Sequence, residues 1–99
     1  MATTARRSGG NVFKDLGFTA EEAKNLKIRA ELMTLLSTLI KERGLTQAQA
    51  ARLFDVSQPR VSDLVRGKID RFSIDTLVAM LGHAGVEVSL VVRGRRKVA

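Results

Sequence analysis

The sequence predicts an all-α domain closed by a single C-terminal strand, and three observations predict it. Hydroxyl side chains stand ahead of apolar periodic runs at Thr19, Thr46, Ser57 and Ser73, where a helix start needs an acceptor for its free N–H groups. The core is aliphatic: 44% of the 99 residues are hydrophobic but only 4% aromatic, with four Phe and no Trp or Tyr, which suits a helical bundle. After Gly85 the apolar period changes to two, with Val86, Val88, Leu90 and Val92 alternating with polar residues. A chain of this length makes one domain and buries a modest fraction of its surface, so association would add stability.

Residues 1–10 are polar, small and Gly-ended and read as a flexible tail; residues 11–99 read as one domain. The segment NVFKDLGF (residues 11–18) is a short amphipathic piece with Val12, Phe13, Leu16 and Phe18 apolar. Thr19 and Glu22 make a capping box at the head of a long helix. Its stripe is Leu32, Met33, Leu36, Leu39 and Ile40, and Asn25 offers a place for a break. Lys41 and Arg43 suit its last turn, and Gly44 suits a left-handed cap. Thr46 and Gln49 form a second box before Ala50, Ala51, Leu53 and Phe54, and Asp55 closes that helix. Ser57 caps the third helix, with Pro59 in its first turn, Val61, Leu64 and Val65 as the inward stripe, and Gly67 as the stop. Lys68 to Phe72 form a basic connector. Ser73 caps a fourth helix, with Ile74, Leu77, Val78 and Leu81 inward, ending near Gly82.

The strand spans residues 86–92, with Val91 interrupting its alternation. A single strand cannot pair with itself. Either the segment around Val12 and Phe13 or a second subunit must complete it. A symmetric antiparallel pairing across a two-fold axis is favoured, which makes Val86, Val88, Leu90 and Val92 dimerisation residues.

Seventeen Lys and Arg against ten Asp and Glu give a net charge of +7, which points to nucleic acid or an anionic membrane. There is no Cys, so disulfides, Cys-metal sites and thiol nucleophiles are excluded. Residues 1–10 carry two Arg but no apolar run, so they do not read as a signal peptide, and no apolar stretch approaches the ~20 residues of a membrane span. A cytoplasmic protein is expected. His83 is the lone His, and no Ser-His-Asp set, metal-ligand spacing or phosphate-cradling glycine loop is visible, so neither an enzyme nor a cofactor or metal is expected. The basic tip Arg93, Arg95, Arg96 and Lys97 reads as a solvated terminus or an extra phosphate contact.

Leu45 to Gly67, LTQAQAARLFDVSQPRVSDLVRG, holds the chemistry. Two short helices are joined by a tight turn. Ala50 and Ala51 are small where the second helix must cross, and Val56, Val61 and Leu64 share one core. That is the pattern of a helix-turn-helix, whose second helix enters the major groove of double-stranded DNA. Gln58, Arg60, Ser62, Asp63 and Arg66 are its polar residues. Gln58 suits adenine and Arg60 suits guanine, each through paired contacts. Asp63 suits either a cytosine amine or the task of orienting Arg60 or Arg66. Gln47 and Ser57, at two helix starts, suit phosphate, as do Arg66, Lys68 and Arg71 at the far end.

TQAQAARLFDVSQPRVSDLVRGK resembles the Cro-type, or XRE-type, helix-turn-helix family, over roughly residues 31–82. The longer run from NVFKDLGF to the strand, above all RVSDLVRGKIDRFSIDTL, looks like the subfamily of small XRE proteins that includes HigA-type antitoxins and phage-associated regulators. The resemblance implies a five-helix, lambda-repressor-like domain and a dimer reading a palindromic operator. It implies base contacts at Gln58, Pro59 (by position) and Asp63, with Arg60 and Ser62 nearby, and phosphate contacts at Gln47, Arg66, Lys68 and Arg71. It further implies an antitoxin that represses its own operon and holds a small RNase-like toxin; the alternative is a free-standing phage-type repressor. Two residues depart from the family pattern. Asp55 replaces the usual turn Gly, and Pro59 stands where many members carry a polar reader.

Overall fold

The computed structural model describes Gly17 and residues 19–94. They form four α-helices: α1 (Ala20–Glu42), α2 (Gln47–Phe54), α3 (Gln58–Val65) and α4 (Ile74–His83), with a 3-10 turn at Ile69–Arg71 between the last two. The tail 1–10, the segment 11–16, Phe18 and residues 95–99 lie outside the described residues.

Two features of the expected architecture are corrected. Four α-helices, not five, are present among the described residues, and none of those residues forms a strand. The break for which Asn25 offered a place does not occur, and α1 runs unbroken for 23 residues. No Gly or Pro lies between Gly17 and Gly44 to interrupt it. Asn25 itself supports the helix, because its Oδ1 accepts a 2.7 Å hydrogen bond from Arg29 Nε one turn on. The strand fails for a different reason. Alternation describes side chains, whereas a strand exists only through a ladder of hydrogen bonds to a partner. Val86 is held at the end of α4, where its N–H donates to Leu81 O at 2.9 Å and Gly85 turns the chain with φ +84°. From there Leu90, Val91 and Val92 run out 75–85% exposed.

The helix starts match the sequence reading because caps are local. Thr19 with Glu22, and Thr46 with Gln49, each form both bonds of a capping box. Ser57 Oγ accepts from Arg60 N and Ser73 Oγ from Thr76 N. Gly44, Gly67 and Gly85 all take positive φ just beyond helix ends.

One core collects these elements. Leu32, Met33 and Leu36 of α1 meet Ala50, Ala51 and Phe54 of α2, Val61 and Leu64 of α3, Phe72, and Leu77, Met80 and Leu81 of α4. Val65, expected inward, is instead 44% exposed and borders a groove against α1. Val61 and Leu64 already fill the narrow seam that a two-turn helix offers.

Asp55 is the sole non-Gly residue with positive φ among those described (φ 60°, ψ 49°), and it makes the turn between α2 and α3. Asp tolerates this region better than most residues. Asp55→Val should therefore cost about 1–2 kcal/mol, while Asp55→Gly should be neutral or slightly stabilising, as read by urea midpoints. Equal midpoints for the two variants would mean the turn relaxes without strain.

Candidate nucleic-acid interface

The α2–turn–α3 unit is positioned from below. Ala50 and Ala51 are small enough for α3 to cross closely, and both are buried. Val56, half-buried, seals the turn, and its N–H reaches back to Ala51 O at 3.0 Å. Val61 and Leu64, 0% and 2% exposed, anchor α3. At about 100° per residue the face opposite these anchors carries Pro59, Ser62, Asp63 and Arg66, with Gln58 and Arg60 on its two flanks.

Around this face the predicted residues fall into distinct settings. Gln58 and Pro59, in the first turn, are exposed, and Pro59 sits where a missing N–H leaves no bond unmade. Ser57 is exposed and occupied with its cap. Gln47 is the exposed first residue of α2, whose start offers the free N–H groups of Gln47 and Ala48. The start of α3 offers that of Gln58 alone, because Pro59 has none and Arg60 N–H is taken by Ser57. Ser62 and Asp63 are half-buried. Arg66 is exposed and Lys68 half-buried, and neither has a carboxylate within ion-pair distance among the described residues.

Three predicted residues are brought together by their own contacts. Arg71 Nη1 lies 3.2 Å from both oxygens of Asp63, across the end of the recognition helix. Arg60 turns away from the outward face. Its Nη1 donates to Arg71 O at 2.8 Å, and its guanidinium carbon stands 5.4 Å from the centre of the Phe72 ring. Asp63 therefore pairs with Arg71, not with the Arg60 or Arg66 that the sequence suggested.

Arg29 was missed by the sequence reading. Its Nη1 donates to Ile69 O at 3.1 Å and Phe72 O at 3.3 Å, tying α1 to the 3-10 turn. The available signal was position: Arg29 lies in line with Leu32, Met33 and Leu36 on the inward stripe, where a charge implies a partner. The predicted dimerisation residues have no such setting. Val86 is half-buried beside α4, while Val88, Leu90 and Val92 face solvent.

A family model described as a helix-turn-helix domain matches residues 12–93, most of the chain. A solved structure described as a member of the XRE family of transcriptional regulators superposes with a TM-score of 0.71 at 30% identity, covering 79% of this chain and 91% of that one. The chain belongs to the XRE-type helix-turn-helix family. A Haemophilus influenzae protein described as an uncharacterized HTH-type transcriptional regulator is 29% identical over 84 residues, 85% of each chain. The α2–turn–α3 unit is the helix-turn-helix of this XRE-type regulator. The match extends past α4 to residue 93, so the exposed apolar segment lies within the family domain. Among the regulator's described residues no helix is long and apolar enough to cross a membrane.

Proposed function

We propose that this regulator is a repressor that binds a palindromic operator as a homodimer, with α3 in the major groove. Gln58, Pro59 and Ser62 meet base edges, while Arg60 and Asp63, which the sequence also offered as readers, are engaged with Arg71. Gln47, Ser57, Arg66, Lys68 and Arg71 meet phosphates. The observation that carries the reading is the layout of α3: an exposed Gln58-Pro59 start, and beyond its far end two cations, Arg66 and Lys68, with no acidic partner among the described residues. Helix starts and free cations are what a duplex backbone attracts, and a glutamine amide in the first turn matches adenine. Selection from random duplexes tests it. The regulator should enrich one inverted repeat, and Gln58→Ala should weaken discrimination at one base pair of each half-site by about 1–3 kcal/mol. Selection of no common sequence would end the reading.

Two copies are proposed because Val88, Leu90, Val91 and Val92 leave an apolar run in solvent, and burying it against a second chain removes that cost. Replacing Leu90 and Val92 together by Glu should convert a dimer to a monomer in sedimentation velocity at micromolar concentration. An unchanged distribution would place the contact elsewhere. The antitoxin role is the narrower form of the same proposal, supported by the resemblance of RVSDLVRGKIDRFSIDTL. It requires an RNase-like partner that co-purifies with the regulator and whose growth arrest the regulator relieves.

A further inference from the structure

We propose that Arg60 is a positioning residue, not a reader of bases: it holds the turn after the recognition helix so that Arg71 is set in advance for a phosphate. The inference rests on the DNA-binding reading above. Three carbonyls of the turn are each held by a guanidinium. Arg29 of α1 donates to Ile69 O and Phe72 O, and Arg60 of α3 donates to Arg71 O. The turn is therefore clamped from two helices whose own packing is fixed by the core. The ring of Phe72, 2% exposed, supplies a rigid floor under the Arg60 guanidinium.

The side chain of Arg71, half exposed, is met by Asp63, whose two oxygens both lie 3.2 Å from Nη1. Arg60 fixes the backbone of residue 71 and Asp63 aims its guanidinium. Both contacts fall on Nη1, and Nε and Nη2 of Arg71 make no hydrogen bond among the described residues. Those N–H groups therefore stay open to a phosphate while Asp63 holds the cation at the end of α3. Arg66 and Lys68 lie beside it in sequence with no ion pair among the described residues.

On α3, at about 100° per residue, Gln58 and Arg60 flank the outward face at similar angles, about 90° and about 110° from its centre. They differ in contacts, since Arg60 is engaged by Arg71 O and the Phe72 ring. To reach a base it would have to leave both the carbonyl and the ring. An arginine freed from neither has no such conflict as a clamp.

The experiment compares the wild type with Arg60→Ala, Arg71→Ala and the double variant. Arg60→Met is added because it keeps an apolar stem over Phe72 if the Ala variant melts. Each is carried through binding-site selection and through affinity measured against salt concentration, with helicity followed by circular dichroism at the same temperature. Arg60→Ala and Arg60→Met are expected to select the wild-type sequence. They should lose affinity for operator and random duplex by the same factor and lower the salt slope by about 0.9, one phosphate. Arg71→Ala alone should lower it equally, and the double variant no further. A changed base preference in either Arg60 variant would make Arg60 a reader and overturn the proposal. So would a further drop in the double variant, which would make Arg60 a phosphate ligand itself. An unchanged slope, with affinity following the folded fraction alone, would reduce Arg60 to a structural contact. Failure of the wild type to select any sequence would remove the DNA reading itself, a result separable from all of these.

Discussion

Replacing Phe54 by Ala is expected to unfold much of the protein at physiological temperature. Phe54 is fully buried and is the last residue of α2, directly before the Asp55 turn that sets the angle of α3. Truncating a buried Phe costs about 3–5 kcal/mol, the transfer of the ring plus the void it leaves. Domains of this size have roughly 5–15 kcal/mol in all, and small ones lie toward the low end. The aliphatic neighbours cannot collapse into the gap cheaply, because Leu36, Leu64 and Leu81 are themselves fixed by helices packed from three sides. Phe54→Leu should lose far less, since most of the volume is kept. Thermal and urea melts of the two variants check this. A loss below about 1 kcal/mol for the Ala variant would show that the void is refilled and that the core is looser than its packing implies.

The double change Arg66→Ala with Lys68→Ala is expected to weaken binding to all duplexes alike, by about thirtyfold at 0.15 M salt. Each phosphate neutralised steepens the dependence of log affinity on log salt by about 0.9, which is worth roughly 0.7 log units at that concentration. Both side chains flank the end of α3, and neither is drawn into an ion pair among the described residues, so both charges are free to displace counterions. The selected sequence should not change, because phosphate contacts carry no base information. Fold should not change either, because neither residue contributes to the core. Titrations at several salt concentrations measure the slope directly. A slope equal to that of the wild type would place the backbone contacts elsewhere on the protein.

How much was legible in the sequence depends on how far each interaction reaches. The capping boxes of Thr19 and Thr46, and the caps of Ser57 and Ser73, were readable because each bond closes within three residues. Gly44, Gly67 and Asp55 marked their turns because backbone sterics act on the residue itself. The alternation after Gly85 was real as a pattern, yet it misled, since a strand needs a partner that the described chain does not supply. Likewise Asn25 was read as a weak point, and only its bond to Arg29 shows it stabilising the turn.

By itself the sequence determined where the four α-helices begin, most of the residues that form the core, and that a helix-turn-helix lies between Leu45 and Gly67. Tertiary structure alone decided what the arginines do. Arg29 meets its partners 40 and 43 residues away, and Arg60 meets Arg71 across eleven. No local rule assigns those contacts, because a guanidinium on a long flexible stem takes whichever acceptor the packing of other helices brings within reach.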